Sequence, residues 1–263
     1  MERSQLGLVF NEVPELYDRV RPGYPDDLFT DLAGLSGIGP GSPVLEVGAG
    51  TGQATRSLAA LGCEVTALEP GPEMAALARD RLAALGSVHI EQSSFEAWDD
   101  HGVRFDAIVA ASSWHWVDPA VGWLRAHELL LPGGWLALLG HMVVRRADEP
   151  EMYAETADLH EKFSPGNPGW GHPPLEEEAR AIEQVWDASF FEEPVVHWYP
   201  TVQWFDGRGF ADHLSSTSLY RKLDPSVREP LLDAIAERIR TRMGDRAARR
   251  YLTVLRAGRR RER

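Results

Sequence analysis

The sequence contains one cysteine, Cys63. A disulfide bond within the chain and a cysteine-rich zinc site are therefore excluded, and the reducing cytoplasm is the expected location. Basic residues are also scarce, with 27 Lys and Arg against 40 Asp and Glu and a formal net charge of -13. Because phosphate binding requires a basic face, nucleic acid is not an expected partner.

Long apolar runs are missing as well. A transmembrane helix needs roughly 18 or more consecutive apolar residues, and no segment of the sequence provides them. The first residues carry no basic region followed by a long apolar core, which is the pattern of a secretory signal. We therefore expect a protein with neither a membrane partner nor a targeting segment.

Arginine, in contrast, is concentrated near the end of the chain. Such a charge run is typical of a solvated helix followed by an edge strand and a tail, and a patch for an acidic substrate is the alternative interpretation. The arginines concerned are Arg238, Arg240, Arg242, Arg246, Arg249, Arg250, Arg256, Arg259, Arg260, Arg261 and Arg263.

Between about residues 25 and 140, short apolar runs alternate with amphipathic segments. This alternation is typical of βαβ units and a doubly wound parallel sheet, whose buried strands are short and mostly apolar. Five strands are predicted: Pro43–Val47, Glu64–Leu68, Val88–Glu91, Phe105–Ala111 and Trp135–Leu139.

Two helices between these strands have clear end signals. One begins at Pro72 and closes at Gly86, and the other begins at Pro119 after the capping residue Asp118. A turn is predicted at residues 132–134, before the fifth strand.

From residue 145 to 193 the composition shifts to Glu, Pro, Gly and His, which predicts a helical and loop insertion that acts as a lid. The chain then divides into a core with N-terminal cap helices (1–144), the lid (145–193) and C-terminal elements that complete the sheet (194–263). Within the last two segments the pattern predicts a helix at 179–186, a strand at 195–204 with Pro200 at an edge or bulge, a helix at 225–242 and a strand at 250–256.

The first strand runs directly into three glycines at alternate positions, Gly48, Gly50 and Gly52. Glycine lacks a β-carbon, so it can adopt positive φ in a turn and let backbone N–H groups approach a ligand. The second strand ends at Glu69, where a carboxylate can accept hydrogen bonds from two ribose hydroxyls. The pattern predicts a nucleotide-cofactor site.

The spacing of the glycines limits which class of nucleotide cofactor the site is expected to bind. A dinucleotide fingerprint needs its third glycine at residue 53, which is Gln53, so an NAD-linked oxidoreductase is disfavoured. Glu46 followed by three alternating glycines instead resembles motif I of the class I S-adenosylmethionine (SAM) methyltransferases. Segments 105–111 and 131–136 resemble the fourth-strand motif and the turn into strand five of the same family. Segments 17–25 and 112–118 are similar to its small-molecule branch, which includes the trans-aconitate and the ubiquinone and menaquinone biosynthesis methyltransferases.

This resemblance implies a Rossmann-like, doubly wound sheet of seven strands, mostly parallel with the last strand antiparallel. It also implies SAM as the cofactor and methyl transfer to a small-molecule acceptor. A SAM-binding accessory or regulatory protein without transfer activity is the alternative.

The resemblance places Gly48 to Gly50 under the amino-acid and ribose parts of SAM, Pro70 beside the adenine, and Arg21 at the methionine carboxylate. Ser94 stands where many members have an acidic residue for the adenine amino group. The complete set assigned to the cofactor is Tyr17, Arg21, Glu46, Gly48, Ala49, Gly50, Gly52, Glu69, Pro70, Ser94, Phe95 and Ala111.

Trp114, His115 and Trp116 follow strand four and His141 follows strand five, at the carboxyl edge where open α/β sheets bind ligands. His115 and His141 are the candidate general bases, each with ordinary structural packing as the alternative. His172, His197 and His213 show no metal-ligand spacing, so no metal is expected. The predicted substrate-binding residues are Tyr24, Trp114, Trp116, Trp170 and Tyr220.

Overall fold

A seven-stranded sheet forms the centre of the computed structural model, which describes residues 11–149, 152–167, 169–182 and 185–262. The strands are β1 (Pro43–Val47), β2 (Glu64–Leu68), β3 (Val88–Glu91), β4 (Phe105–Ala111), β5 (Leu130–Val144), β6 (Val195–Phe205) and β7 (Ala247–Arg259). The helices are α1 (Pro14–Val20), α2 (Asp26–Ser36), α3 (Gln53–Ala60), α4 (Pro72–Leu82), α5 (Pro119–Leu129), α6 (Met152–Phe163), α7 (Glu176–Arg180), α8 (Gly207–Ser215), α9 (Ser218–Arg221) and α10 (Pro225–Arg242), with a 3₁₀ turn at Trp114–Trp116.

The strand order is β3-β2-β1-β4-β5-β7-β6. Strands β1 to β5 pair in parallel, and β7 lies antiparallel to both of its neighbours, β5 and β6. The predicted Rossmann-like fold class is therefore confirmed. The chain order reverses between β1 and β4, and ligands bind outside the carboxyl ends of strands at such a reversal.

Helices cover both faces of the sheet. In β1, Val44 packs with α2, α3 and α4 on one face, while Leu45 and Val47 pack with α5 on the other. Alternate strand residues point to opposite faces, so a strand that is buried on both sides reads as a continuous apolar run. This is why the central strands were predictable from composition.

Strand β5 is longer than predicted and runs from Leu130 to Val144 instead of from Trp135 to Leu139. The extension after Leu139 is paired with β7, as far as Val144 opposite Arg250, whereas Leu130 at the start of the strand pairs with Phe105 of β4. The predicted turn at residues 132–134 lies inside the strand, where the register against β4 shifts and Gly133 has a φ of +81°. Long-range pairing therefore extends a strand beyond its apolar run.

The arginine-rich strand β7 was predicted as an edge strand, and this prediction is wrong. Strand β7 lies between β5 and β6, and β6 forms the edge, as Pro200 predicted. The reason is that pairing on both sides satisfies the backbone of β7, and Leu252, Leu255 and Ala257 on this strand are fully buried.

The segment predicted to be a lid, 145–193, contains α6 and α7. Helix α6 packs against α8 and α10 through apolar residues such as Leu159, Phe210 and Ile235. The predicted helix at 179–186 is wrong, because α7 begins at Glu176 and ends at Arg180. Glu178 accepts a hydrogen bond from the Leu175 backbone N–H at 2.7 Å, which caps the helix earlier than its apolar spacing indicated.

No helix in the part of the chain that the structure describes is long and apolar enough to cross a membrane.

Candidate cofactor site and adjoining chamber

The loop after β1 is shaped by its glycines. Gly48, Gly50 and Gly52 have φ values of +72°, +61° and +88°, which side chains other than glycine's rarely adopt. A β-carbon on Gly48 would lie 2.5 Å from the Ser113 β-carbon, so a bare backbone lets the ends of β1 and β4 approach. One on Gly52 would lie 2.5 Å from Leu82, so Gly52 serves the packing of α3 on α4.

Glu69 joins the loops after β1 and β2. It is 9% exposed, and its carboxylate accepts hydrogen bonds from the backbone N–H groups of Gly50 and Gly71, each at 2.8 Å. Burial raises the pKa of Glu69, and the two backbone hydrogen bonds oppose that rise. The carboxylate is thereby held in one position beside the glycine loop.

A cavity of about 250 Å³ opens between the loops that follow the strands. Most of the predicted cofactor residues and one predicted substrate residue line this cavity. They are Tyr17, Gly48, Gly50, Glu69, Pro70, Ser94, Phe95, Ala111 and Trp116. Sequence reasoning missed Asn11, whose side-chain oxygen accepts hydrogen bonds from the N–H groups of Glu73 at 2.8 Å and Met74 at 3.2 Å. No local pattern marks Asn11, because its partners lie 62 and 63 residues away.

A smaller compartment adjoins this cavity at Gly48 and Gly50 and contains Glu46, Ala49 and Tyr24. Glu46 is 1% exposed. Its carboxyl oxygens meet no hydrogen-bond donor at good geometry among the described residues, although the Thr55 hydroxyl lies close enough to favour the ionised form. Burial raises the pKa of Glu46 to about 8. Leaving a buried carboxyl group without a partner is costly, so a cationic ligand group at this position would be stabilised.

The N-terminal segment closes this end of the site. Tyr24 donates or accepts a hydrogen bond with the Ser112 hydroxyl at 2.8 Å, and Arg21 lies 5.0 Å from the centre of the Tyr17 ring. A guanidinium N–H of Arg21 also donates to the Ser216 carbonyl at 3.0 Å. Arg21 therefore connects the end of α1 to the end of α8. It is not among the residues that line the cavity or the adjoining compartment, so its role at the methionine carboxylate stays a prediction.

A second and larger chamber of about 860 Å³ lies beside the first cavity. The two share one wall, formed by Ser112, Ser113, Trp116 and Val117 after β4. The remaining lining comes from α5, from the carboxyl end of β5, from Val185 of the lid, and from β7. Both candidate bases, His115 and His141, and the predicted residue Trp114 line this chamber.

The two histidines have opposite surroundings. His115 is exposed and packs against Trp116 with ring centres 4.4 Å apart. His141 is partly buried, stacks on Tyr24 at 4.4 Å, and shares a hydrogen bond of 2.8 Å between its Nδ1 and the Thr253 hydroxyl. Burial lowers the pKa of His141 to about 4, so its ring is neutral at pH 7. Its Nε2 has no hydrogen-bond partner among the described residues.

Trp170 and Tyr220 lie elsewhere. Their rings are 5.3 Å apart in the apolar cluster of α6, α8 and α10, where the Tyr220 hydroxyl hydrogen-bonds to His160 Nε2 at 2.6 Å. The structure therefore places these two residues together but apart from the chamber that Trp114 and Trp116 line. Within the described ranges, no group of three or more His, Cys, Asp or Glu could hold a metal ion.

The strand order, the glycine loop after β1 and the acidic residue after β2 together define a class I SAM-dependent methyltransferase fold. Residues 45–136 match the family described as "Methyltransferase domain". This match confirms the predicted resemblance to the methyltransferases over that segment, and SAM is the cofactor of the class I methyltransferases that the motifs resemble.

Two curated relatives show the extent of the similarity. An uncharacterized methyltransferase of Mycobacterium tuberculosis is 36% identical over 141 residues, which cover 52% of this chain and 54% of the relative. The demethylmenaquinone methyltransferase of Tropheryma whipplei is 30% identical over 153 residues, which cover 56% of this chain and 63% of the relative. The chain thus spans about half the length of the first relative.

Solved structures share the fold over nearly the whole chain. A protein described as a type II methyltransferase of Anaeromyxobacter dehalogenans aligns with a TM-score of 0.62 and 24% identity, covering 91% of this chain and 97% of that one. A SAM-dependent methyltransferase of Thiobacillus denitrificans, solved in complex with S-adenosylhomocysteine, aligns with a TM-score of 0.51 and 17% identity, covering 92% and 94%.

The residues present fit SAM. Its methionine part carries an ammonium group, which matches the buried and unpartnered carboxyl of Glu46, and its ribose offers two hydroxyls, which match the Glu69 carboxylate. The glycine loop leaves backbone uncovered between these two acidic side chains.

Proposed function

We propose that this chain transfers a methyl group from SAM to a small-molecule acceptor held in the chamber beside Trp114 and His141. The observation that carries the proposal is the wall from Ser112 to Val117, which the cofactor cavity and the chamber share. Methyl transfer is an in-line displacement, so donor and acceptor must meet in a site that excludes water.

Bound SAM supplies the activated methyl group, and the residues around it supply position. In the proposed arrangement, Glu69 holds the ribose, Glu46 accepts from the ammonium group, and the adenine lies near Pro70, Ser94 and Phe95. Ala49 and Ala111 complete the wall of the methionine compartment.

Orientation carries most of the catalysis in this proposal. Proximity and alignment are worth about 7–11 kcal/mol, whereas a general base contributes roughly 10²–10⁴ in rate. A carboxylate acceptor needs no base, but a phenol, hydroxyl or carbon acid would use one. His141 is better placed than His115 for that role, because it is partly buried and its ring is held by Thr253, whereas His115 is exposed.

The lid segment, 145–193, is proposed to cover the chamber. Val185 contributes to the lining, and Trp186 packs edge to face against Trp123 with ring centres 5.8 Å apart. The division into segments 1–144, 145–193 and 194–263 and the cytoplasmic location stay predictions.

The demethylmenaquinone methyltransferase among the relatives supports a small-molecule acceptor.

Two measurements test the proposal. Isothermal titration with SAM and S-adenosylhomocysteine should show binding to the folded protein, and turnover of methyl-labelled SAM should appear with at least one member of a panel of acids, phenols and quinones. A folded protein that binds neither compound would contradict the proposal. Binding without turnover across the panel would instead identify a SAM-binding accessory protein.

A further inference from the structure

The side chains that line the chamber differ in charge from the protein as a whole. The chain carries a formal net charge of -13, yet no Asp or Glu is found among the described residues that line the chamber. The titratable side chains on its wall are those of Arg256, His115 and His141. A site of this composition favours a ligand with negative charge, because electrostatic complementarity steers binding and selects partners.

Arg256 provides the cation. It lies on β7 between Leu138 of β5 and Val196 of β6, and is 9% exposed. One guanidinium N–H donates to the Val185 carbonyl at 3.2 Å, and the guanidinium lies 5.5 Å from the centre of the Trp186 ring. Both contacts hold the planar group at the chamber wall.

Burial of this guanidinium has an energetic consequence. Burial lowers the pKa of Arg256, and charged groups interact more strongly where little water screens them than they do at an exposed surface. The planar fork of an arginine matches the two oxygens of a carboxylate. An anionic group in the chamber would therefore gain more from Arg256 than it would from an exposed arginine.

The rest of the wall is aromatic. Trp114, Trp116 and Trp123 line the chamber, and the rings of Trp114 and Trp123 meet edge to face at 5.1 Å. Indole rings bury flat apolar groups well, and a few polar groups on such a wall fix the orientation of a ligand.

We infer that the acceptor is a small carboxylic acid with a flat apolar body, and that Arg256 binds its carboxylate. This inference rests on the proposed function, since it names the substrate class of the same chamber. It assigns Arg256 to specificity and leaves the cofactor site unchanged.

The experiment compares a charged probe with a neutral probe of the same shape. Wild-type protein with saturating S-adenosylhomocysteine is titrated calorimetrically with 2-naphthoate and with 2-naphthamide. We expect naphthoate to bind at least tenfold more tightly, which corresponds to about 1.4 kcal/mol. The Arg256→Gln variant should lose this preference while its affinity for naphthamide stays within threefold.

Arg246→Gln is the matched control. Arg246 is exposed and stacks on Trp204 at 3.9 Å, away from the chamber, so the control should keep the wild-type preference. If Arg256→Gln does not fold, as judged by circular dichroism, Arg256→Lys takes its place and should lose at least two thirds of the preference, because an ammonium lacks the fork.

Three results overturn the inference: naphthoate and naphthamide binding equally to the wild type, naphthoate not binding at millimolar concentration, or the preference persisting in the Arg256 variant. A separate titration with S-adenosylhomocysteine distinguishes these from failure of the proposed function. If S-adenosylhomocysteine does not bind, the methyltransferase proposal fails. The naphthoate and naphthamide titrations of the cofactor-free protein then still show whether Arg256 binds a carboxylate.

Discussion

The proposed cofactor cavity and the proposed acceptor chamber share a wall, but they differ in the charge of the side chains that line them and in the parts of the chain that form them. The cofactor side buries two carboxyl groups, Glu46 and Glu69, against a bare glycine loop. The chamber carries a buried guanidinium, Arg256, among indole rings. In the arrangement proposed above, a cationic donor and an anionic acceptor would meet at residues 112–117, the donor beside the two carboxyl groups and the acceptor beside Arg256. Changes on one side should alter one ligand and spare the other.

The largest expected effect is on turnover and comes from the chamber side. Replacing His141 with Gln should lower kcat by about 10²–10⁴ for an acceptor that must lose a proton, while the affinity for S-adenosylhomocysteine changes less than threefold. The matched variant His115→Asn should have a smaller effect, since that ring is exposed. Steady-state kinetics on the best acceptor of the panel checks this prediction. An equal loss of turnover and of cofactor affinity would contradict the assignment of His141 to the acceptor side alone.

The pH dependence of kcat provides a second test of His141 as the general base. A base must be neutral to accept a proton, and burial lowers the pKa of His141 to about 4. If His141 acts as the base, kcat should be lost only as the pH falls through about 4. A profile that falls near pH 6.5, the ordinary value for histidine, would exclude His141 in favour of another group.

Gly48→Ala should produce the next largest effect, on the cofactor side. The substitution forces an L side chain into positive φ and sets a β-carbon 2.5 Å from that of Ser113. We expect cofactor affinity to fall more than tenfold and the free energy of unfolding to fall by about 1–2 kcal/mol. Titration and urea unfolding measure the two effects. Gly86→Ala is the control, because its β-carbon would meet nothing within 4 Å; equal effects of both substitutions would contradict the loop geometry.

Glu69→Ala should weaken SAM binding by about 1–3 kcal/mol, which is the cost of leaving polar partners unpaired. Probe binding in the chamber should not change. Glu73→Ala, an exposed residue in the first turn of α4, is the control and should leave SAM affinity unaltered. Unchanged affinity in the Glu69 variant would mean that the ribose lies elsewhere.

A last expected effect concerns the stability of the cofactor-free protein and no ligand. Burial raises the pKa of Glu46 to about 8, so the contribution of this group to stability is complete below about pH 4.3 and is lost as the pH rises through about 8. The Glu46→Gln variant has no such titration. Between pH 5 and 9, its free energy of unfolding should fall less than that of the wild type, by about 1 kcal/mol or more. Parallel urea curves for the two proteins would contradict the buried, unpartnered state of Glu46.

The cofactor side could be predicted from sequence because its signals are local. Glu46 to Gly52 are contiguous, and Glu69 ends the next strand, so one strand-loop-helix pattern places them together. Gly52 is the exception, since only the packing of Leu82 shows that it serves the helix pair.

The chamber could be predicted only in part. Residues 114–116 follow β4 directly, but Arg256 was one of many arginines in a segment interpreted as solvated. Its burial depends on β7 lying between β5 and β6, which is a long-range pairing. Trp170 and Tyr220 failed for a related reason, because aromatic composition does not separate a wall residue from a packed one.

A crystal structure with bound S-adenosylhomocysteine is the most direct test of the central claim. The account predicts the ribose at Glu69, the amino group at Glu46, and the sulfur directed toward the wall of residues 112–117. The compound bound inside the chamber beside Arg256, or excluded from the glycine loop, would contradict it.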